Sequence, residues 1–560
     1  MLTNYASSTV VQLTPMNRLP AARHICLGWL LTAVCFAQQA VIPNVDTRRM
    51  EPQVKALIET TMQQLESATD SPDAWGQLGR VLHAHELFDT AVWCYRQAHR
   101  LDPDNFHWPL LAGHALRLNH KGEAVDYFET VLSITAGTEA MFITYGDTLT
   151  ALGRFDEALQ AFQAALQINS GSGFALARLG RSALLQGDIA ESRALLEQAQ
   201  AIVPNASEVH TLLAQIYLRL GETALAERAE LLSRVHKKPF NPYDPIVDEM
   251  QSLAVSASAH ALRGNKLAKA GVLPAAESEL RAVLALTPGT PTDFGNLATV
   301  LARQGKQMEA IDYFEKGLTQ NPNNVTLLSH QGLTLLQTGQ LERADNVLSR
   351  ATSLDPAYAE AQFNLGVLRY RQARHKDAIA RFKRALSLNP GLTDAYLNLG
   401  SAYVAAGNLE AAIEPWLKLK MIQPDNLDLI FNIGLARVRL GHHGEAISEF
   451  EAGLALTPRD PRFASALARL LATASEASLR DGDRAVTIAS TLFKARPRDP
   501  VVMELMAVAL AETGHFSDAI SLAERALELA SENPALSRQI RSSLVLYRQG
   551  KPQRQKTPNQ

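Results

Sequence analysis

Four asparagines and one histidine recur every 34 residues in the middle of this sequence: Asn296, His330, Asn364, Asn398 and Asn432. A carboxamide carries two hydrogen-bond donors and an acceptor oxygen. A row of such groups can therefore bind the main chain of an extended peptide with little regard for its side chains. Alternatively, each amide is bonded inside its own unit. If the row binds a ligand, replacing Asn364 and Asn398 with alanine is expected to weaken binding with little loss of stability.

No other group of residues predicts chemistry. A metal site needs three or four converging ligands, and no HExxH or CxxC spacing is present, so we expect no metal and no cofactor. Gly171-Ser172-Gly173 joins two helical units without a preceding strand, so it is neither a phosphate loop nor a nucleophile elbow. We therefore expect no catalytic residue and no enzymatic activity. Histidines are expected to be solvated or packed, including His442 and His443 in a turn and an N-terminal group at His83, His85, His99, His107, His114 and His120.

The asparagine row belongs to a unit of 34 residues that is repeated five times between Pro291 and Pro458. Each copy has a small residue, a second small residue twelve positions later, a large apolar residue and a terminal proline. Within 359–390 the apolar residues fall at helical spacing on both sides of a polar stretch. This predicts helix–turn–helix units that bury their faces by stacking on one another. The columns are Ala298, Gly332, Gly366, Gly400 and Gly434; Ala310, Ala344, Ala378, Ala412 and Ala446; Phe314, Leu348, Phe382, Trp416 and Phe450; and Pro322, Pro356, Pro390, Pro424 and Pro458.

These columns resemble the tetratricopeptide repeat family. The resemblance implies an all-α, right-handed superhelical solenoid of about 13 helix–turn–helix repeats. The triplets NLA, NLG, NLG and NIG, which begin at the four asparagines, are similar to those of the O-GlcNAc transferase superhelix. In that family the matching asparagines line the concave surface and bind the backbone of a peptide. Because repeats fill the sequence to its end, we expect no glycosyltransferase region. The Lys and Asn set that another subclass uses to bind chaperone C termini is not found.

Composition excludes several classes of protein. The chain has 560 residues, of which 46% are apolar and 20% charged, so disorder is not expected. Its net charge of −3, from 54 basic and 57 acidic residues, gives no sign of a nucleic-acid partner. No run reaches the roughly 18 apolar residues of a membrane span.

The N-terminal segment is typical of a secretory signal. Arg18 and Arg23 precede an apolar run from Ile25 to Ala37 that is too short to span a membrane. We expect cleavage near Ala37 and export to a bacterial periplasm or medium. The alternatives are an uncleaved apolar segment and a cytoplasmic protein. Cleavage would leave Cys94 as the single cysteine, which cannot form an internal disulfide.

The repeats predict a sequence of segments along the chain. Residues 1–37 form the signal or apolar segment, 38–71 a lead-in helix, and 72–233 a first array. A proline-rich connector occupies 234–251, a second array with a capping helix occupies 252–548, and a basic, disordered tail occupies 549–560. The stretch 236–247 carries three prolines and is not expected to be helical. It is either a rigid bend between the arrays or a loop that enters the groove as an internal ligand.

The predicted function is non-catalytic binding of a protein or an extended peptide along the concave groove. One alternative is an assembly subunit of a larger complex. The other is an accessory that presents substrates to a separate enzyme such as a glycosyltransferase. The sequence does not predict the oligomeric state.

Overall fold

The computed structural model describes residues 41–236, 240 and 242–555. The predicted signal segment, residues 1–37, lies outside the described residues. All regular structure in the described ranges is helical, with 29 α-helices, one short 3₁₀ turn and no strand. All of the described helices lie in the unit that begins at Asn44. None of the described helices has the length and apolar character required to cross a bilayer. The predicted all-α repeat fold is confirmed.

A lead-in helix, α1 (Pro52–Glu66), precedes five helical pairs that we call the first array. It lies within residues 38–71, where the sequence predicts a lead-in helix. The first helices of these pairs are α2 (Pro72–Ala84), α4 (His107–Leu116), α6 (Glu139–Ala151), α8 (Gly173–Gln186) and α10 (Ser207–Arg219). The second helices are α3 (Phe88–Leu101), α5 (Lys121–Ile134), α7 (Phe155–Ile168), α9 (Ile189–Ile202) and α11 (Thr223–Val235).

A single short helix, α12 (Pro245–Ser252), separates this array from eight further pairs that we call the second array. Together the two arrays contain the expected thirteen pairs. The first helices are α13 (Ala257–Ala270), α15 (Pro291–Arg303), α17 (Val325–Gln337), α19 (Ala359–Arg371), α21 (Thr393–Ala405), α23 (Leu427–Leu440), α25 (Pro461–Thr473) and α27 (Pro500–Glu512). The second helices are α14 (Leu273–Leu286), α16 (Gln307–Gln320), α18 (Leu341–Leu354), α20 (His375–Leu388), α22 (Leu409–Ile422), α24 (His443–Leu456), α26 (Gly482–Ala495) and α28 (Phe516–Leu529). The final helix, α29 (Pro534–Arg548), packs its buried face on α27 and α28, as expected of a cap.

The column of small residues lets the two helices of a pair approach each other closely. A Cβ atom added to Gly400 would lie 2.1 Å from Trp416 Nε1, and one added to Gly434 would lie 2.4 Å from Phe450 Cε1. Ala412, in the second small column, is fully buried. The predicted packing of a large side chain against a small one is therefore confirmed, and any Cβ at the two glycines would overpack the contact.

First helices form the inner side of the curve. Neighbouring first helices contact one another repeatedly (α13 with α15, α15 with α17, α17 with α19, α19 with α21), whereas no comparable contact joins neighbouring second helices in the described part of the chain. Since stacked pairs curve toward the side on which their helices lie closer, the first helices line the concave face. We call this surface the inner face of each array.

The connector contains a helix that the sequence did not predict. The interpretation that 236–247 is not helical is wrong for residues 245–247, because α12 begins at Pro245. Asp244 Oδ1 accepts hydrogen bonds from the N–H groups of Ile246 and Val247, 3.0 and 3.3 Å away. Proline fits the first helical position, where its missing N–H would have had no partner.

The two arrays also touch directly. Helix α11 contacts α22, and Lys418 Nζ lies 3.7 Å from Glu227 Oε1. Helix α12 packs instead on α2 and α4, at the other end of the first array. The chain therefore turns back along the first array before the second array begins.

Two expectations for exposed segments were wrong. The expected disordered tail is ordered over its described residues: Gln555 N donates to Thr473 O at 2.8 Å, and Arg554 pairs with Glu512. Residues 556–560 lie outside the described part. His443, expected in a solvated turn, begins α24 and is 1% exposed, with Nδ1 3.2 Å from Ser475 Oγ. Ser475, which makes this contact, lies in the loop 474–481 between α25 and α26.

Candidate functional site

The inner face of the first array is covered by a segment of the same chain, formed by Phe240 and residues 242–257, which we call the inner segment. At one end of the segment, the Phe240 ring packs on Phe174 of α8, with ring centroids 4.5 Å apart. The Arg178 guanidinium lies 5.8 Å from the centroid of the same ring, in cation–π geometry. Arg178 Nη2 also donates to the main-chain oxygen of Phe240 at 3.4 Å.

Arg178 links three first helices and the inner segment. Its Nε donates to Asp147 Oδ1 of α6 at 2.8 Å, and its Nη1 donates to Glu208 Oε2 of α10 at 2.9 Å. The Arg178 side chain is only 8% exposed, so burial costs it much of its hydration. The two carboxylates and the Phe240 carbonyl replace that hydration and fix the guanidinium toward the segment.

The middle of the segment lies against α4. Asp244 Oδ2 is 3.7 Å from Nε2 of His114, and Ile246 packs on an apolar cluster formed by the first four pairs. Burial, together with the nearby charges of Arg117 and His83, lowers the pKa of His114 to about 3. This imidazole is therefore neutral at pH 7, and its ring meets the Phe128 ring edge-on.

The far end of the segment reaches α2 and the residues before α1. His85 Nδ1 lies 2.8 Å from Val81 O, so Nδ1 carries the ring proton. The other ring nitrogen, Nε2, accepts a hydrogen bond from Val255 N at 3.2 Å. Arg80 pairs with Glu249 at 3.3 Å, and Ala257 N donates to Glu51 Oε2 at 2.9 Å. The segment thus follows the inner face from α8 back to α2. The connector therefore follows the second of the two interpretations: it enters the groove instead of forming only a bend between the arrays.

The six N-terminal histidines do not converge on a metal. In residues 41–236, 240 and 242–555, no three His, Cys, Asp or Glu side chains form a group that could hold an ion. His83 is buried beside Tyr95, with Nδ1 3.3 Å from the phenol oxygen, and burial lowers its pKa to about 4. His83, His85 and His114 serve instead as packing and hydrogen-bonding groups of the first inner face.

On the second array, the predicted row divides into two parts. Asn364 is 3% exposed, and its Nδ2 donates to Ser329 O at 3.1 Å and to Ser329 Oγ at 3.0 Å. His330 Nδ1 lies 3.3 Å from Thr299 Oγ1, and burial lowers the pKa of the ring. These two residues therefore join α15, α17 and α19. The expectation that Asn364 can be removed with little loss of stability disagrees with its burial.

The other asparagines are more open. Asn432 is exposed, and Asn296 and Asn398 are half-buried. Asn398 Nδ2 donates to Asp394 O at 2.8 Å within its own helix, which leaves its Oδ1 available. Among the described residues, the side chains of Asn296 and Asn432 make no hydrogen bond. Exposed Leu397 and Leu435, at 41% and 37%, flank the open asparagines on α21 and α23. Ligand binding by the five residues stays a prediction.

Arg178 is a contact residue that the sequence pattern did not predict. It stands two positions before Gly180, just as Asn398 stands two positions before Gly400. The asparagine column therefore continues into the first array, where its member binds a main-chain carbonyl. Extending the column to the weaker N-terminal copies would have found it.

Comparisons with known proteins agree with the repeats. Family models described as Tetratricopeptide repeat match residues 149–228 and residues 110–173, 330–393 and 368–420. The chain is 26% identical over 345 residues to Protein CTR9 homolog of Arabidopsis thaliana, a match that covers 59% of this chain and 30% of that protein. The chain therefore spans less than a third of the length of this curated relative.

Two solved structures are also similar. The chain is 30% identical to the protein in the crystal structure of MamA protein. The match covers 30% of this chain and 92% of that one, with a TM-score of 0.28. The chain is 19% identical to a tetratricopeptide repeat protein from Parabacteroides merdae ATCC 43184. That match covers 46% of this chain and 100% of the other, with a TM-score of 0.31. Because the family models match and the helices pair as the columns predict, the chain is a tetratricopeptide repeat protein, with the fold of a protein-interaction scaffold.

Proposed function

We propose that this protein is a non-catalytic scaffold that binds an extended protein segment along the inner face of its second array, at α21 and α23. One observation supports this most: in the first array, the same column position already contacts a non-repeat segment. There Arg178 donates to the main-chain oxygen of Phe240. Equivalent positions on stacked pairs face the same surface, which supports the same role for Asn398 and Asn432.

The chemistry of this surface suits a main chain more than a particular side chain. Asn432 offers two N–H donors and an acceptor, and Asn398 keeps Oδ1 as an acceptor for a peptide N–H. Leu397 and Leu435 supply apolar area beside them. Asn364 contributes indirectly, by fixing α19 against α17.

The test is a selection of peptides from a random display library on the purified chain, followed by fluorescence anisotropy with the selected peptides. Each lost hydrogen bond costs about 0.5–1.5 kcal/mol, so Asn398→Ala with Asn432→Ala should raise Kd roughly tenfold. The matched control is Asn346→Ala, an exposed asparagine of the second helix α18 and so outside the inner face, which should leave Kd unchanged. Equal affinity of the double variant and the wild type for every selected peptide would refute the proposal.

We also propose that the protein is exported, because a basic flank and a short apolar run precede Ala37. Export would place the inner faces in the periplasm or outside the cell. N-terminal sequencing of the protein from its native cell should find a chain that begins near residue 38. A chain that begins at Met1 or Met16 would contradict cleavage.

A further inference from the structure

We propose that the inner face of the first array is a second polypeptide-binding site, and that the inner segment is its resident ligand. The external ligand is a protein segment of the same chemistry: an aromatic residue, a proline-flanked acidic residue, and a short helix with one apolar face. Such a segment binds by displacing the inner segment. This site is separate from the one proposed on the second array.

The residues of this face contact particular chemical groups of the inner segment. Phe174 and Arg178 hold an aromatic ring and the carbonyl of the same residue. Farther along the face, an acidic side chain caps the short helix beside His114, and the helix directs Met250, 2% exposed, into the interface. These contacts define an order of aromatic, acidic and apolar groups that another chain could present.

The inner segment leaves two clefts open to solvent along the face. A cleft of about 950 Å³ remains where α12 and α13 face α2 and α4, and one of about 520 Å³ remains where residues 242–251 face α4 and α6. A segment that leaves such clefts covers the face without completing it.

Polar groups at the interface are also incompletely paired. His114 Nε2 and Asp244 Oδ2 are buried 3.7 Å apart, and neither has a hydrogen-bond partner among the described residues. Arg80 Nε, which faces the same segment, lacks a partner there as well. Buried polar atoms are nearly always bonded in a permanent core. These atoms are therefore points at which a competing segment could gain contacts that the resident segment lacks.

The first experiment supplies the segment as a separate molecule. A fluorescein-labelled peptide with the sequence of residues 240–257 is titrated into the wild-type chain and into a full-length variant that carries Phe240→Ser, Asp244→Ser and Ile246→Ser. Weakening the resident segment frees the face, so the peptide should bind the variant at least tenfold more tightly than the wild type. A scrambled peptide should bind neither chain.

The second experiment uses the wild-type chain, so it does not depend on the folding of the variant. Excess unlabelled peptide should raise amide hydrogen exchange in residues 242–257 and leave exchange in α15 to α24 unchanged. The proposal fails if the peptide binds both chains equally, or if it does not bind a variant that circular dichroism shows to be folded. It also fails if exchange of the inner segment is unchanged at saturating peptide.

Discussion

The two arrays share one repeat geometry but differ in what covers their inner faces. In the first array, Arg178 and its carboxylate partners hold a segment of the chain itself. In the second array, the same column position carries asparagines, of which Asn398 and Asn432 remain open. In the first array the stacked helices therefore form a surface that a segment of the chain covers, and the column residue Arg178 contacts that segment.

The difference follows from the chemistry of the two side chains. A buried guanidinium must find several partners to offset its lost hydration, so Arg178 ties together α6, α8, α10 and the inner segment. A neutral carboxamide is satisfied by one or two bonds. Asn364 finds them on the neighbouring helix and becomes structural, while Asn432 has no such neighbour.

The largest expected difference between the arrays is in their response to acid. Unfolded histidine titrates near pH 6.5, whereas the folded pKa values of His83 and His114 are about 4 and 3. Below pH 6.5 these two histidines bind protons in the unfolded first array but stay neutral in the folded one. The free energy of unfolding of the first array therefore falls as the pH drops. The loss is about 1.4 kcal/mol per pH unit for each histidine, and up to about 4 kcal/mol at pH 5.

The second array should lose less over this range. Burial lowers the pKa of His330 and His443 to a smaller extent. A hydrogen bond from Lys306 lowers the pKa of Glu277 to about 2, and this carboxylate stabilises the fold until the pH falls from about 4.5 toward 2. Hydrogen exchange at pH 7 and pH 5, corrected for intrinsic rates, should show opening in α2 to α11 before α15 to α24. Simultaneous opening would contradict the assignment.

A smaller effect should separate the two parts of the asparagine row. Asn364→Ala leaves Ser329 without its partner in a buried contact, at a cost of about 1–3 kcal/mol. Asn432→Ala removes an exposed amide with no bond among the described residues, so stability should change by less than about 0.5 kcal/mol. Urea unfolding of both variants measures the contrast. Equal midpoints would show that Asn364 is not structural.

The smallest effect is expected at the outer edge of the inner segment. Glu249 is 71% exposed where it pairs with Arg80, and such pairs contribute little because water screens them. Glu249→Gln in the wild-type chain should therefore change the free energy of unfolding by at most about 0.5 kcal/mol. Added to the chain with Phe240→Ser, Asp244→Ser and Ile246→Ser, the same substitution should leave the affinity for the 240–257 peptide unchanged. A large drop in Tm on Glu249→Gln would show that this pair, and not Arg178, contributes most to holding the segment.

Much of the architecture was predictable because stacking imposes local rules. A small residue must face a large one in every pair, as Gly400 faces Trp416, and a break in register must separate arrays. Such patterns are fixed by contacts close in the sequence, so the thirteen pairs, the lead-in helix and the cap all follow from them. The helix at Pro245 was missed because three nearby prolines outweighed the capping Asp244.

The sequence by itself determined that paired helices stack and that one column of polar residues faces a common surface. Only the tertiary structure decided which members of that column are free. Asn364 and Asn432 have similar local sequences, but one meets Ser329 and the other meets solvent. Likewise, nothing local to Phe240 places it against Arg178, 62 residues away. That contact depends on the path of the chain back along the first array, because long-range pairing is set by packing and not by local spacing.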